Sequence, residues 1–132
     1  MRFYLFLTCA LILSIGCEQQ PPVEKMNNPV LVHTVYFWLK GDVTDNDRKV
    51  FEGALRKLGT STTTTSYHWG SPLQIEKRDV VDDSYDYALT SFFDSVEKHD
   101  IYQTSDPIHQ GFIESNKHLW ESVKVYDHQI LE

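Results

Sequence analysis

Tyr102 and His109 flank the dipeptide Asp106-Pro107, and a phenol and an imidazole so placed are the pair in this chain best suited to acid–base chemistry. Asp106 is a residue type that caps helices, and Pro107 suits the first helical position, where its missing N–H costs nothing. That start puts His109 at the third position, near unsatisfied N–H groups and the positive end of the helix dipole. Both disfavour the imidazolium form, while the Asp106 carboxylate opposes them. A neutral imidazole can accept a proton, as a general base must. Tyr102 could donate a hydrogen bond to a substrate carbonyl or to a developing enolate oxygen. His33, in an apolar strand, could help hold that oxygen. Three readings stay open for Tyr102 and His109: a catalytic pair, a noncatalytic ligand pocket, or ordinary packing with local hydrogen bonds. A lone strand histidine such as His33 is more often a satisfied core residue.

Other chemistries find less support. The six histidines, His33, His68, His99, His109, His118 and His128, include no i, i+4 pair and no HExxH spacing, so no metal site is expected from local spacing. The GxGxxG loop, the P-loop and the GxSxG elbow are all missing from the sequence, and no cofactor is expected. A net charge of −7 and a pI near 5.3 leave no general basic footprint for nucleic acid. The two cysteines, Cys9 and Cys17, both precede the segment that can fold, which excludes disulfides and thiolate catalysis from it.

The elements that must position these residues are legible as patterns. Residues 30–40, VLVHTVYFWLK, are rich in β-branched and aromatic side chains and read as the first strand. Leu31, His33, Val35, Phe37 and Leu39 share one face; Val30, Val32, Thr34, Tyr36 and Trp38 share the other. Both faces are largely apolar, so both need cover. A domain of this size can cover one face with its own helices, and the second face calls for a partner copy. Thr44 and Asp47 make a capping-box-like start to a helix whose Val50, Phe51, Ala54, Leu55 and Leu58 recur at helical spacing. Gly59 stops it. Residues 60–69 read as a polar edge strand, 73–84 as a surface loop, and 85–93 as a further strand. Asp94 with Glu97 signals a short helix from 96 to 102. Asp106-Pro107 opens another that runs to about Trp120, and 123–128 is the last strand. The order β-α-β-β-α(α)-β is the ferredoxin-like, α+β pattern.

The N-terminus reads as an address. Arg2 precedes an apolar run over residues 3–15, too short to span a membrane and suited to a signal peptide over residues 1–16. The run ends in Leu13-Ser14-Ile15-Gly16-Cys17, similar to a bacterial lipobox, in which the cysteine is acylated after cleavage. Residues 17–29, polar and proline-bearing, would form a flexible tether to a domain over 30–132. Lipid on Cys17 would hold the protein at a membrane of the bacterial cell envelope without a spanning helix.

Taken together, VHTVYFWLK, YDYALTSFFDS, the turn at Tyr102, Pro107-x-His109-x-x-Phe112, and Trp120 followed by VKVYD resemble the stress-responsive dimeric A/B barrel (Dabb) family. The resemblance covers residues 30–128 and implies a ferredoxin-like protomer that forms a dimeric α/β barrel. Some members are linked to stress responses. A plant member is a polyketide cyclase that closes a ring by aldol condensation with loss of water. Its Tyr–His pair matches Tyr102 and His109, with one more residue between them here, and its first-strand histidine matches His33. The resulting expectation is a homodimer binding a small hydrophobic or aromatic molecule. Its cavity would lie in the barrel interior and be lined by His33, Val35, Phe37, Tyr102 and His109. The alternatives are a cyclase- or lyase-like activity using Tyr102 and His109, and an envelope module that recruits another protein.

Overall fold

The fold is described from a computed structural model, covering residues 29–131 apart from 74 and 77. The expected signal peptide and, apart from Pro29, the expected tether with Cys17 lie outside the described residues. Among the described residues four strands and three helices follow the expected order: β1 (Leu31–Leu39), α1 (Asp45–Leu58), β2 (Ser66–Gly70), β3 (Tyr87–Phe93), α2 (Val96–Thr104), α3 (Pro107–Asn116) and β4 (Trp120–Gln129). A single 3₁₀ turn, Lys117–Leu119, joins α3 to β4. The sheet order is β2-β3-β1-β4, and every pairing is antiparallel. This is the ferredoxin-like α+β arrangement.

Local chemistry explains the boundaries. Thr44 and Asp47 form a reciprocal capping box at the start of α1. Ser95, rather than Asp94, caps α2, accepting from the Lys98 N–H; Asp94 pairs instead with the Lys98 ammonium at 2.7 Å. The threonine-rich stretch before β2 is strand only from Ser66 onward. The residues before it turn their hydroxyls to other work: Ser61 and Thr63 both bind Asp106. The third strand begins at Tyr87 rather than Tyr85, whose ring packs edge-on against Tyr36 at 4.9 Å. The last strand begins earlier than its sequence suggests, at Trp120.

The helices cover one face of the sheet. Val35, Phe37 and Leu39 of β1 pack there with Phe51, Leu55 and Leu58 of α1, Leu89 and Phe93 of β3, and Phe112 of α3. Each such side chain contributes about 1.5–3 kcal/mol through burial, so this layer carries most of the fold's hydrophobic stabilisation. No helix among the described residues covers the opposite face. It presents Tyr36, Trp38, Tyr85 and Tyr126 in edge-on contacts, with the Lys124 ammonium over the Trp38 ring at 5.2 Å.

Candidate functional site

The α2–α3 junction builds the centre of the site. The N–H groups of Ser105 and Asp106 both donate to the Ile101 carbonyl, closing α2. Asp106 then opens α3: its Oδ1 accepts from the N–H of Ile108 at 2.8 Å and of His109 at 3.1 Å. Its Oδ2 accepts from the Ser61 and Thr63 hydroxyls. Burial pushes the Asp106 carboxyl up, but these four donors outweigh it and hold it below the usual carboxylate range. This tight reversal lays the His109 ring on the Tyr102 ring, with centroids 4.1 Å apart and planes at 27°. The residue added between them relative to the plant cyclase pattern does not separate the pair.

His33 completes the group from β1. It stands edge-on to Tyr102, with centroids 6.1 Å apart. Its Nδ1 lies 2.6 Å from Oδ1 of Asp127, its cross-strand neighbour on β4. Donation from Nδ1 to the carboxylate leaves Nε2 as the acceptor nitrogen, and Gln103 Nε2 lies 3.4 Å from it. The His33 side chain is only 4% exposed, whereas that of Asp127 is 45% exposed.

Burial sets the protonation of all three rings. It lowers the pKa of His33, against the opposing pull of Asp127. It lowers that of His109 as well, against the carbonyl of Tyr102, and with help from the neighbouring His33. It raises that of the Tyr102 phenol, which the Ser91 hydroxyl partly offsets. Near neutral pH the site therefore holds two neutral imidazoles and an intact phenol, which together can accept and donate protons.

These residues line a cavity of about 140 Å³ between the sheet and helices α2 and α3. Its wall includes His33, Val35, Phe37, Tyr102, Gln103 and His109, completed by apolar side chains such as Phe112 and Trp120. The His109 Nδ1 and Trp120 Nε1 atoms are buried with no hydrogen-bond partner among the described residues. Such a group costs about 1–3 kcal/mol when left unpaired, so each is a natural contact for a bound polar atom.

All five expected lining residues are thus brought together, but on the other side of the sheet from the one expected. His33, Val35 and Phe37 face the helices, not the open sheet surface that a barrel interior would use. Alternation along a strand defines two faces without saying which one the helices choose. A larger concavity of about 510 Å³ does lie on the open face, lined by Tyr36, Trp38, Tyr85 and Lys124 among others. Sequence reasoning missed Asp127 and Gln103 as neighbours of His33. Only the register of β1 with β4 places Asp127 opposite His33. The same assembly gathers His33, His99 and Asp127, whose donor atoms all lie within 4.8 Å of one another, a grouping that local spacing of histidines could not reveal.

Known proteins share this architecture. The stress responsive A/B barrel domain family matches residues 31–130. A Dabb-family protein with a ferredoxin-like fold from Mesorhizobium loti is 20% identical with a TM-score of 0.63, covering 79% of this chain and 99% of its own. A dimeric ferredoxin-like protein of unknown function from Thermobifida fusca is 16% identical with a TM-score of 0.63, covering 77% and 92%. The hydroxynitrile lyase from Passiflora edulis is 21% identical with a TM-score of 0.60, covering 79% and 95%. No curated protein sequence matches the chain.

Proposed function

The chain belongs to the stress responsive A/B barrel domain family, and from that premise we propose that it is a homodimeric binding protein for a small, largely apolar or aromatic molecule carrying a polar group. The observation that carries this reading is the cavity of about 140 Å³, apolar in most of its wall, with unpartnered nitrogens on His109 and Trp120. An apolar protein cavity of about 150 Å³ accommodates benzene, so a single aromatic ring or short branched chain is the matching size. The uncovered aromatic face supports the dimer, as do similar structures described as dimeric. Lipid on Cys17 would place the domain at the bacterial cell envelope, an assignment resting on the lipobox-like sequence ending in Gly16-Cys17. A link to stress responses rests on the family alone.

The stacked Tyr102–His109 pair favours one second reading, a lyase or cyclase. In that reaction His109 takes a proton from a carbon acid or hydroxyl of the substrate. From a carbon acid the released pair attacks a substrate carbonyl carbon, whose π pair moves onto oxygen as the C–C bond forms; from a hydroxyl the pair forms the carbonyl as the adjacent C–C bond breaks, and the departing carbanion takes the proton back from His109. Charge developing on the substrate oxygen is met by the Tyr102 hydroxyl, which burial keeps protonated. The hydroxynitrile lyase shares the fold.

Native mass spectrometry of the full chain, extracted in detergent from its own host, tests the binding reading. The expected species is a dimer that retains a small molecule and loses it in His109→Ala. A wild-type dimer that is empty, and that stays empty when benzaldehyde and short aliphatic ketones are supplied at millimolar concentration, overturns it. Radiolabelled palmitate incorporated by the wild type but not by Cys17→Ser supports the anchor; equal labelling rejects it.

A further inference from the structure

We infer that His33, His99 and Asp127 form a binding site for a divalent zinc-class ion at the rim of the cavity. The three come from three elements, β1, α2 and β4, and their donor atoms lie within 4.8 Å of one another. His33 Nδ1 is 2.6 Å and His99 Nε2 3.9 Å from the same Asp127 oxygen. Ligand bonds of about 2.0–2.1 Å in a tetrahedral shell put donor atoms roughly 3.3–3.4 Å apart. The two distances bracket that spacing and the third pair of donor atoms lies within 4.8 Å, so shifts of up to about 1.5 Å complete a three-ligand shell.

The surroundings orient the ligands. His99 Nδ1 lies 3.4 Å from the Asp100 carboxylate, which favours the proton on that nitrogen and leaves Nε2 as a donor toward the cluster. The His99 ring packs edge-on against Phe93 at 5.3 Å and lies 5.4 Å from the His33 ring. Gln103 Nε2 is 3.4 Å from His33 Nε2 and 3.4 Å from His99 Nε2; an ion on His99 Nε2 takes the lone pair that this amide contacts. Two imidazoles and one carboxylate suit zinc and its neighbours; magnesium and calcium take oxygen ligands. Three protein ligands leave a further coordination position for water or a small molecule. Binding through Nδ1 moves the imidazole proton from that nitrogen to Nε2, so the ion and the His33–Asp127 hydrogen bond exclude one another. The inference does not depend on what the cavity holds.

Titration of the full chain in detergent with Co²⁺, read by absorption, and with Zn²⁺, read by calorimetry, tests the site. The expected result is one equivalent bound through nitrogen and oxygen donors, with affinity at least tenfold weaker in both His99→Ala and Asp127→Asn. His118→Ala, a change outside the cluster, should bind as the wild type does. Circular dichroism checks folding, and His99→Asn replaces His99→Ala if the latter unfolds. Equal affinity in the wild type and both cluster variants, a spectrum of thiolate type alone, or no binding below millimolar ion overturns the inference.

Discussion

The two faces of β1 are chemically alike and structurally opposite. Phe37, toward the helices, is 2% exposed and belongs to a packed core. Tyr36, its neighbour on the other side, is half-buried and makes edge-on ring contacts with Tyr85 and Tyr126. The difference lies in what covers them, since both faces offer large aromatic and β-branched side chains. Helices α1 and α3 supply the cover on one side and leave room for a small cavity beside it. The loop before β3 supplies only a partial rim on the other, through Tyr85 and a Ser84 hydroxyl that accepts from Trp38 Nε1 at 3.1 Å. One face therefore stabilises the protomer, and the other is available for association.

Three substitutions sharpen that contrast, from the largest expected effect on unfolding to the smallest. Phe51→Ala, on the helix side, should destabilise the protein by about 3–5 kcal/mol, measured by urea unfolding; a loss below about 1 kcal/mol would show that the covered layer is not the main core. Asp106→Ala removes a helix cap and leaves the Ser61 and Thr63 hydroxyls without their acceptor, and should cost about 1–2 kcal/mol. Its effect is pH-dependent. The folded carboxyl ionises below its ordinary range, so its contribution is complete above about pH 4 and is lost as pH falls through the folded value. The gap between wild type and Asp106→Ala should therefore be full at pH 7 and narrow in acid; a gap that widens in acid would contradict this assignment. Tyr36→Asp, on the open face, should change protomer stability by less than about 1 kcal/mol while weakening self-association at least tenfold by sedimentation equilibrium. Unchanged association with a large loss of stability would reverse the roles of the two faces.

Much of this was legible in the sequence, and the reasons are local. The alternation in residues 30–40, the Thr44–Asp47 capping box and the Asp106-Pro107 helix start each depend on residues a few positions apart. Those features were enough to bring Tyr102 and His109 to one junction. The remainder depended on contacts across the chain. Nothing near His33 in the sequence indicates that Asp127 lies across from it, because that neighbour is set by strand register. The threonines at 62–65 have strand-like composition, yet Asp106 draws Thr63, together with Ser61, out of the sheet. The side of the sheet to which His33 points was likewise settled by the helices, not by the strand itself.

Among the described residues β4 lies at the edge of the sheet, paired only with β1, and nearly all of it is exposed. Its outer amides have no ladder partner among the described residues, so they should exchange with solvent deuterium sooner than those of β1. Asp127 rides on this strand. Each opening that carries its carboxylate away releases His33 from its partner without disturbing the buried aromatic layer. The basicity of the His33 imidazole is therefore tied to the breathing of one peripheral strand, and anything that clamps that strand also sets the charge balance inside the cavity.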